Sequence, residues 1–172
     1  VGRIKKDDSS VPYLLDGYYY YTRFEGDKEY PLYCRKKGSM EAEEEIMLNI
    51  NEMAQGHSYY QVAGLSIHPN KQKIAFGEDT VSRRIYTIYT KDLVTGEITK
   101  VTDSECTGGS TWSADGNYLF YTVKDVETLR SNAIKRWSAA DNTTETIFVE
   151  EDETFSCFVY KSKSKKYLMI GS

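Results

Sequence analysis

The sequence has few of the features that mark a disulfide-stabilised, membrane or nucleic-acid-binding protein. Three cysteines stand at wide spacings, Cys34, Cys106 and Cys157, with no CxxC pair, which predicts reduced and mostly buried thiols. No apolar run approaches the length that crosses a membrane. The formal net charge is −4, which argues against a nucleic-acid partner because such proteins present a basic face.

Proline and glycine are also sparse, at three and twelve residues, so the chain is not a low-complexity segment. Aromatic residues are abundant instead, with 15 Tyr, six Phe and two Trp among 172 residues. Aromatic side chains pack well on the pleated surface of a sheet, and this length suffices to bury a core. The composition therefore predicts a folded chain that is mostly β.

A pattern recurs in the middle of the chain. Residues 66–70 form a turn that leads into apolar residues 74–76, and residues 111–116 lead into 119–121, 45 positions later. Repeats of about 40–50 residues with several short strands are typical of β-propeller blades, which bury their faces by stacking on neighbours.

The repeat and the turn signals predict an all-β fold, a partial β-propeller of about three and a half four-stranded antiparallel blades. The blades are expected at about 11–50, 64–102 and 110–150, with an incomplete blade at 155–172. Residues 84–90 are apolar on both faces, as expected of a strand that is covered on both sides. The two strands of the last blade are expected at 155–160 and 166–170, and a helical turn near 52–54.

Propellers have four to eight blades, so the chain is expected to be part of a larger ring. Its first residue is Val1 rather than Met, and a strand at 167–170 is followed only by Gly171 and Ser172. No fold of this size by itself assigns a function.

Two residue types suggest hydrolytic chemistry, and both have a structural interpretation. Gly108-Gly109-Ser110 starts like a nucleophile elbow, but Trp112 replaces the second glycine and the segment leads into a strand. His68 lies in a turn where the next repeat carries Ser113, and His57 follows a glycine in a connecting segment. We predict turn roles for these residues and no catalytic site.

The other polar motifs favour a solvated surface. Glu41, Glu43, Glu44 and Glu45 form a carboxylate run on a predicted loop, which is usually a hydrated face. Asn142 begins a glycosylation triplet of a kind that is common by chance. No EF-hand or zinc spacing accompanies the acidic residues, so no cofactor and no metal are predicted.

The charged residues before the 84–90 strand are the strongest site candidate. Arg83 and Arg84 are adjacent and must point to opposite faces of a strand. A buried guanidinium needs a carboxylate partner, and Glu78 and Asp79 lie across the same turn. The four residues predict either an ion pair within the blade or a contact with another domain or ligand.

This same stretch, residues 78–86, resembles the N-terminal propeller of the oligopeptidase B branch of the prolyl oligopeptidase family of serine peptidases. The stretches at 11–21, 29–35, 45–51 and 112–121 are similar to that propeller in the same order. The resemblance covers nearly the whole chain, with no single decisive motif.

The resemblance implies a seven-bladed propeller that caps an α/β-hydrolase domain with a Ser, Asp and His triad. The parent protein would hydrolyse short peptides after Lys or Arg, and the propeller would act as gate and substrate filter. The family's nucleophile motif and its Asp and His are absent here, so no catalytic residue is carried over and this chain alone is expected to be inactive. The implied partners are the hydrolase domain and short peptides.

Two alternatives and two further expectations complete the prediction. The chain could be a stand-alone propeller that binds proteins or glycans, or the propeller of a dipeptidyl-peptidase-like enzyme with an acidic anchor, for which Glu43 and Glu44 are the remote candidates. The resemblance favours the cytoplasm, with the periplasm left open. An exposed strand edge at 166–170 predicts self-association.

Overall fold

The computed structural model describes residues 8–103 and 105–172, almost all of them in antiparallel sheets. The chain divides into two compact units, Val1–His57 and Ser58–Ser172. The first unit holds one sheet in the order β1-β2-β3-β4 and one short helix. Its elements are β1 (Tyr13–Leu15), β2 (Tyr18–Arg23), β3 (Leu32–Lys37), β4 (Glu44–Asn49) and α1 (Ile50–Met53).

Local sequence explains how the first unit turns. Asp16 and Gly17 both have positive φ, 48° and 83°, the conformation that an Asp-Gly hairpin turn requires. The helical turn expected near 52–54 occurs as α1, where the Asn49 side chain accepts a hydrogen bond from the Glu52 amide at 3.4 Å. Tyr21, Leu32 and Cys34 form one buried cluster of this unit.

The second unit holds two four-stranded sheets and one two-stranded sheet. Its strands are β5 (Gln61–Ile67), β6 (Lys73–Asp79), β7 (Thr87–Asp92), β8 (Ile98–Lys100), β9 (Cys106–Trp112), β10 (Tyr118–Lys124), β11 (Ser131–Ser138), β12 (Thr144–Val149), β13 (Phe158–Lys161) and β14 (Leu168–Gly171). Each sheet is a meander of sequential antiparallel strands. The prediction of an all-β chain with four-stranded antiparallel blades is therefore confirmed.

The 45-residue repeat marks equivalent strands, because β5 and β6 correspond to β9 and β10. In this unit β9 packs against β5 and β6, and β13 packs against β9, β10 and β11. A shared core joins the blades, since Ala75 and Ile88 of one sheet cluster with Trp112, Leu119 and Trp137 of the next. Stacking of this kind is how repeat units bury faces that none could bury alone.

The strand expected at 84–90 was placed too early, because β7 begins at Thr87. Arg84 has a φ of 56°, which no strand residue adopts. Tyr86 instead exchanges two backbone hydrogen bonds with Cys106, at 2.9 and 3.0 Å. Ile85 and Tyr86 are still buried, so the apolar pattern correctly indicated coverage but not strand pairing.

The last two strands also start later than the expected 155–160 and 166–170. The Arg130 guanidinium donates hydrogen bonds to the carbonyls of Glu150, Asp152 and Phe155, at 3.3, 3.1 and 2.9 Å. These bonds tie the connecting segment to the loop before β11, and β13 begins only at Phe158.

Candidate functional site

The turn between β6 and β7 is organised by one buried carboxylate. Asp79 ends β6 with 1% of its surface exposed. Its two oxygens accept hydrogen bonds from the backbone amides of Val81 and Arg84, at 2.9 and 2.8 Å. Because both oxygens bind amides of their own turn, this carboxylate shapes the loop that carries the arginines.

Further contacts fix the same turn to the next blade. Ser82 and Arg84 take positive φ values of 61° and 56°, an uncommon conformation for residues with a side chain. The Lys124 ammonium of β10 donates a hydrogen bond to the Arg84 carbonyl at 2.9 Å. The turn is therefore held at both ends by polar contacts that do not use the guanidinium groups.

The four predicted site residues are brought together, but in different environments. Glu78 accepts a hydrogen bond from the Tyr60 hydroxyl, and burial followed by this carboxylate raises the pKa of Tyr60. Arg83 and Arg84 are both exposed, so their charges face the surroundings of the turn. Whether they form an ion pair or an interdomain contact stays a prediction.

No hydrolytic centre is assembled among residues 8–103 and 105–172. The turn predicted for Gly108-Gly109-Ser110 is wrong, because all three residues lie within strand β9. The Ser110 hydroxyl has no hydrogen-bond partner there, whereas an activated nucleophile needs a base within hydrogen-bonding reach. His68 is engaged elsewhere: its Nε2 lies 3.0 Å from the Gly116 carbonyl and its Nδ1 accepts from the Asn70 amide at 3.1 Å. His57 is exposed at the end of the first unit.

The acidic run is split between solvent and internal ion pairs. Glu41 and Glu43 are exposed, but Glu44 accepts hydrogen bonds from Arg23 Nη2 at 2.7 Å and from the Tyr21 hydroxyl at 2.5 Å. The Arg23 guanidinium is the main cause of the lowered pKa of Glu44. The run is therefore only partly the hydrated face that was expected.

Glu45 is the other member of the run that forms an ion pair. It accepts two hydrogen bonds from Arg35, at 2.7 and 2.8 Å, and the Arg35 side chain is only 5% exposed. A bidentate guanidinium–carboxylate pair of this kind holds two neighbouring strands in register.

The remaining candidates are structural. All three cysteines are free and buried, as predicted. Asn142 is exposed and accepts a hydrogen bond from Trp137 Nε1 at 2.6 Å. Within the described ranges, no three His, Cys, Asp or Glu side chains are grouped to hold a metal ion. The same ranges contain no helix that is long and apolar enough to cross a membrane.

Sequence reasoning missed the contact that joins two of the repeated turns. The His68 ring lies edge-on to Trp112, with centroids 4.6 Å apart, while it contacts the Gly116 carbonyl. Trp112 Nε1 in turn donates to the Ser66 carbonyl at 3.4 Å. The repeat held the signal for this contact, because it shows that the two turns are equivalent. Whether equivalent turns lie side by side depends on how the blades stack.

Four-stranded antiparallel meanders that pack on one another in the second unit are typical of a β-propeller. A family model described as the prolyl oligopeptidase N-terminal β-propeller domain matches residues 1–172. The chain belongs to this family.

Proteins from several organisms are similar to this chain along its whole length. Dipeptidyl aminopeptidase BI of Pseudoxanthomonas mexicana is 34% identical, over 99% of this chain and 26% of that protein. Protease 2 of Moraxella lacunata is 32% identical, over 100% and 26%. The structure of oligopeptidase B from Leishmania major superposes with a TM-score of 0.88 and 32% identity, over 98% of this chain and 24% of that one. The chain thus spans about a quarter of the length of these relatives.

Proposed function

We propose that this chain is the gating and substrate-filtering propeller of a serine peptidase that resembles oligopeptidase B and hydrolyses short peptides after Lys or Arg. The observation that carries the proposal is the similarity to oligopeptidase B in both fold and sequence, with 98% of the chain covered. The proposed partners are an α/β-hydrolase domain of the same protein and short peptides.

Blade packing gives the filter a physical basis. In the second unit, Gly64 and Gly77 of one blade leave no room for a side chain against the Gly108 backbone of the next. Backbone-to-backbone contact of this kind makes a dense wall that cannot yield locally to a folded protein. Such a wall over an active site would admit flexible peptides, and its closure would exclude water from the reaction.

The first test concerns cleavage specificity of the parent protein. Fluorogenic peptides that differ only in the residue before the scissile bond are compared, with Lys, Arg and Pro at that position. We expect hydrolysis after Lys and Arg. Preference for Pro would contradict the proposed specificity and leave the propeller assignment intact.

The second test concerns size. One cleavable segment is offered as a short peptide and as an internal loop of a folded protein. A filter predicts cleavage of the peptide only, and equal cleavage of both forms would contradict gating. The 172-residue chain by itself is expected to hydrolyse neither, because the described residues hold no nucleophile beside a base.

Dipeptidyl aminopeptidase activity is a second candidate, favoured by the similarity to the Pseudoxanthomonas mexicana protein. Such an enzyme binds the free amino terminus of its substrate and needs an available carboxylate. Glu44 is already bound to Arg23 and Tyr21, which leaves Glu43 as the exposed member of that pair. Blocking the substrate amine with an acetyl group would abolish this activity but not cleavage of an internal bond after Lys or Arg.

A stand-alone binding module remains the alternative from another class. The parent reading frame distinguishes it directly. A Gly-x-Ser-x-Gly elbow followed by Asp and then His downstream of this segment would support the peptidase, and a stop codon soon after the propeller would favour the binding module.

We further propose that Arg83 and Arg84 contact the hydrolase domain. Both are exposed on a turn that is fixed by Asp79 and Lys124, and arginine suits paired contacts with carboxylates. In the parent protein, Arg83→Gln with Arg84→Gln is expected to lower peptide turnover without unfolding the propeller. Exposed Lys163 provides a control through Lys163→Gln, and equal effects of the two changes would contradict the contact.

Self-association is proposed from the exposed side chains of the last sheet. Tyr167 is 65% exposed in the β13–β14 turn, and Met169 and Ile170 of the edge strand are 43% and 40% exposed. An exposed apolar strand edge is a template for pairing. Sedimentation of the chain across a concentration series is expected to show dimers, and a monomer at high concentration would contradict this.

A further inference from the structure

A groove of about 320 Å³ opens between the β9–β10 turn and the β13–β14 turn of the second unit. Lys161, Lys165 and Lys166 line one part of it, and the aromatic rings of Tyr118 and Tyr167 line another. The two turns come from neighbouring blades, so the groove exists only because the blades stack.

The charge in the groove is unbalanced. Three lysines face a single lining carboxylate, Asp115. That carboxylate already accepts hydrogen bonds from the Ser113 hydroxyl at 2.5 Å and from the Asn117 amide and side chain at 3.1 and 2.8 Å. In the part of the chain that the structure describes, neither Lys161 nor Lys166 takes part in an ion pair.

The position of Lys161 also disfavours its own positive charge. Its side chain is partly buried, and desolvation, followed by the charges of Lys165 and Lys71, lowers its pKa. Partial burial and like charges both disfavour an ammonium ion. Lys71 comes from the β5–β6 turn, two blades earlier in the chain, so lysines of two different turns disfavour the charge of Lys161. A bound anion would offset the repulsion and replace the lost hydration.

We propose that this groove binds a small anion that carries several negative charges on phosphate or carboxylate groups. Lys161 and Lys166 would bind it as point charges, the manner in which lysine recognises phosphate, and the hydroxyls of Tyr118 and Tyr167 would add hydrogen-bond donors. A groove of 320 Å³ holds a molecule of this size but not a folded partner. The site is independent of the proposed peptidase activity.

The test is a calorimetric titration of the chain with pyrophosphate at low ionic strength. Three variants, Lys161→Gln, Lys166→Gln and Lys163→Gln, each remove one positive charge from the same hairpin. Lys163 is exposed and does not line the groove, so it controls for general electrostatic attraction. We expect Lys161→Gln and Lys166→Gln each to weaken binding about tenfold, and Lys163→Gln by less than about twofold.

Two outcomes would overturn the site: no saturable binding to the unmodified chain, or equal weakening in all three variants. An unchanged urea midpoint would show that a variant folds. If Lys161→Gln does not fold, Lys166→Gln still tests the site. A parallel titration with citrate separates the ligand sources. Tighter binding of pyrophosphate supports a phosphate ligand, and tighter binding of citrate supports a polycarboxylate in the same groove.

Discussion

Replacing Gly77 by alanine tests the blade packing directly. A Cβ at this position would lie 2.5 Å from Gly108 Cα and 2.8 Å from the Gly108 carbonyl oxygen. Both are backbone atoms of the adjacent blade, so no side-chain rotation relieves the clash. The two sheets must move apart, and their shared core around Ala75 and Trp112 must loosen with them.

The expected cost follows from two opposing effects. Overpacking a close-packed interior costs about 1–3 kcal/mol. Alanine also restricts the unfolded chain relative to glycine, which stabilises the folded state by about 0.4–1 kcal/mol where the backbone is compatible. We therefore expect Gly77→Ala to lower the free energy of unfolding by about 1–2 kcal/mol.

Gly109 provides a control, because alanine at this position is not expected to lower the free energy of unfolding. It is exposed in β9, and the nearest atom to its Cβ would be Thr107 Oγ1 at 4.0 Å. With no clash, Gly109→Ala should be neutral or more stable by up to about 1 kcal/mol.

Urea unfolding followed by tryptophan fluorescence measures both changes. The only tryptophans of the chain, Trp112 and Trp137, lie in the second unit beside this contact, so the signal reports the relevant blades. A shift of the midpoint with an unchanged slope would identify a change in stability. If Gly77→Ala proved as stable as Gly109→Ala, the close packing of the two blades through glycine would be refuted.

Three further predictions concern the remaining contacts. His68→Ala should lower stability by about 1 kcal/mol, measured by urea unfolding, because it removes the hydrogen bond to the Gly116 carbonyl. Burial raises the pKa of Cys106 from 9.0 to about 12, so stability is full below pH 9 and falls as pH rises toward 12; Cys106→Ala should flatten the dependence of the urea midpoint on pH. Glu45→Gln should cost about 1–3 kcal/mol in urea unfolding, because it removes the charge opposite the buried Arg35 guanidinium.

The sequence sufficed for the architecture because its signals are local. A 45-residue repeat, an Asp-Gly turn and strands rich in tyrosine predicted antiparallel blades, and the sheets have that order. The errors were local as well. Strand β7 begins at Thr87 because the Asp79 carboxylate holds residues 80–84 in a turn with positive φ at Ser82. Apolar periodicity cannot detect a turn fixed by one buried side chain.

The candidate site could be predicted only in part from the sequence. Sequence order brought Glu78, Asp79, Arg83 and Arg84 to one turn and left an ion pair or a contact with another domain or ligand as alternatives. It did not indicate that Asp79 binds backbone amides. Backbone amides, like a guanidinium group, can donate charge-assisted hydrogen bonds to a buried carboxylate. Which of the two a buried carboxylate binds depends on backbone direction, which residue types alone do not specify.

A sequence repeat identifies equivalent turns and strands, but it does not show which residues of neighbouring blades contact one another. The equivalence of 66–70 and 111–116 says that both segments are turns, yet His68 binds Gly116 only because stacking places one turn beside the next. The same stacking sets Gly77 against Gly108. Since each blade supplies half of every such contact, a substitution at one of these positions acts on its neighbour's blade. Contacts between neighbouring blades, such as His68 with Gly116 and Gly77 with Gly108, are therefore properties of two blades at once. Variants that test them should change one residue on each of the two blades, singly and together.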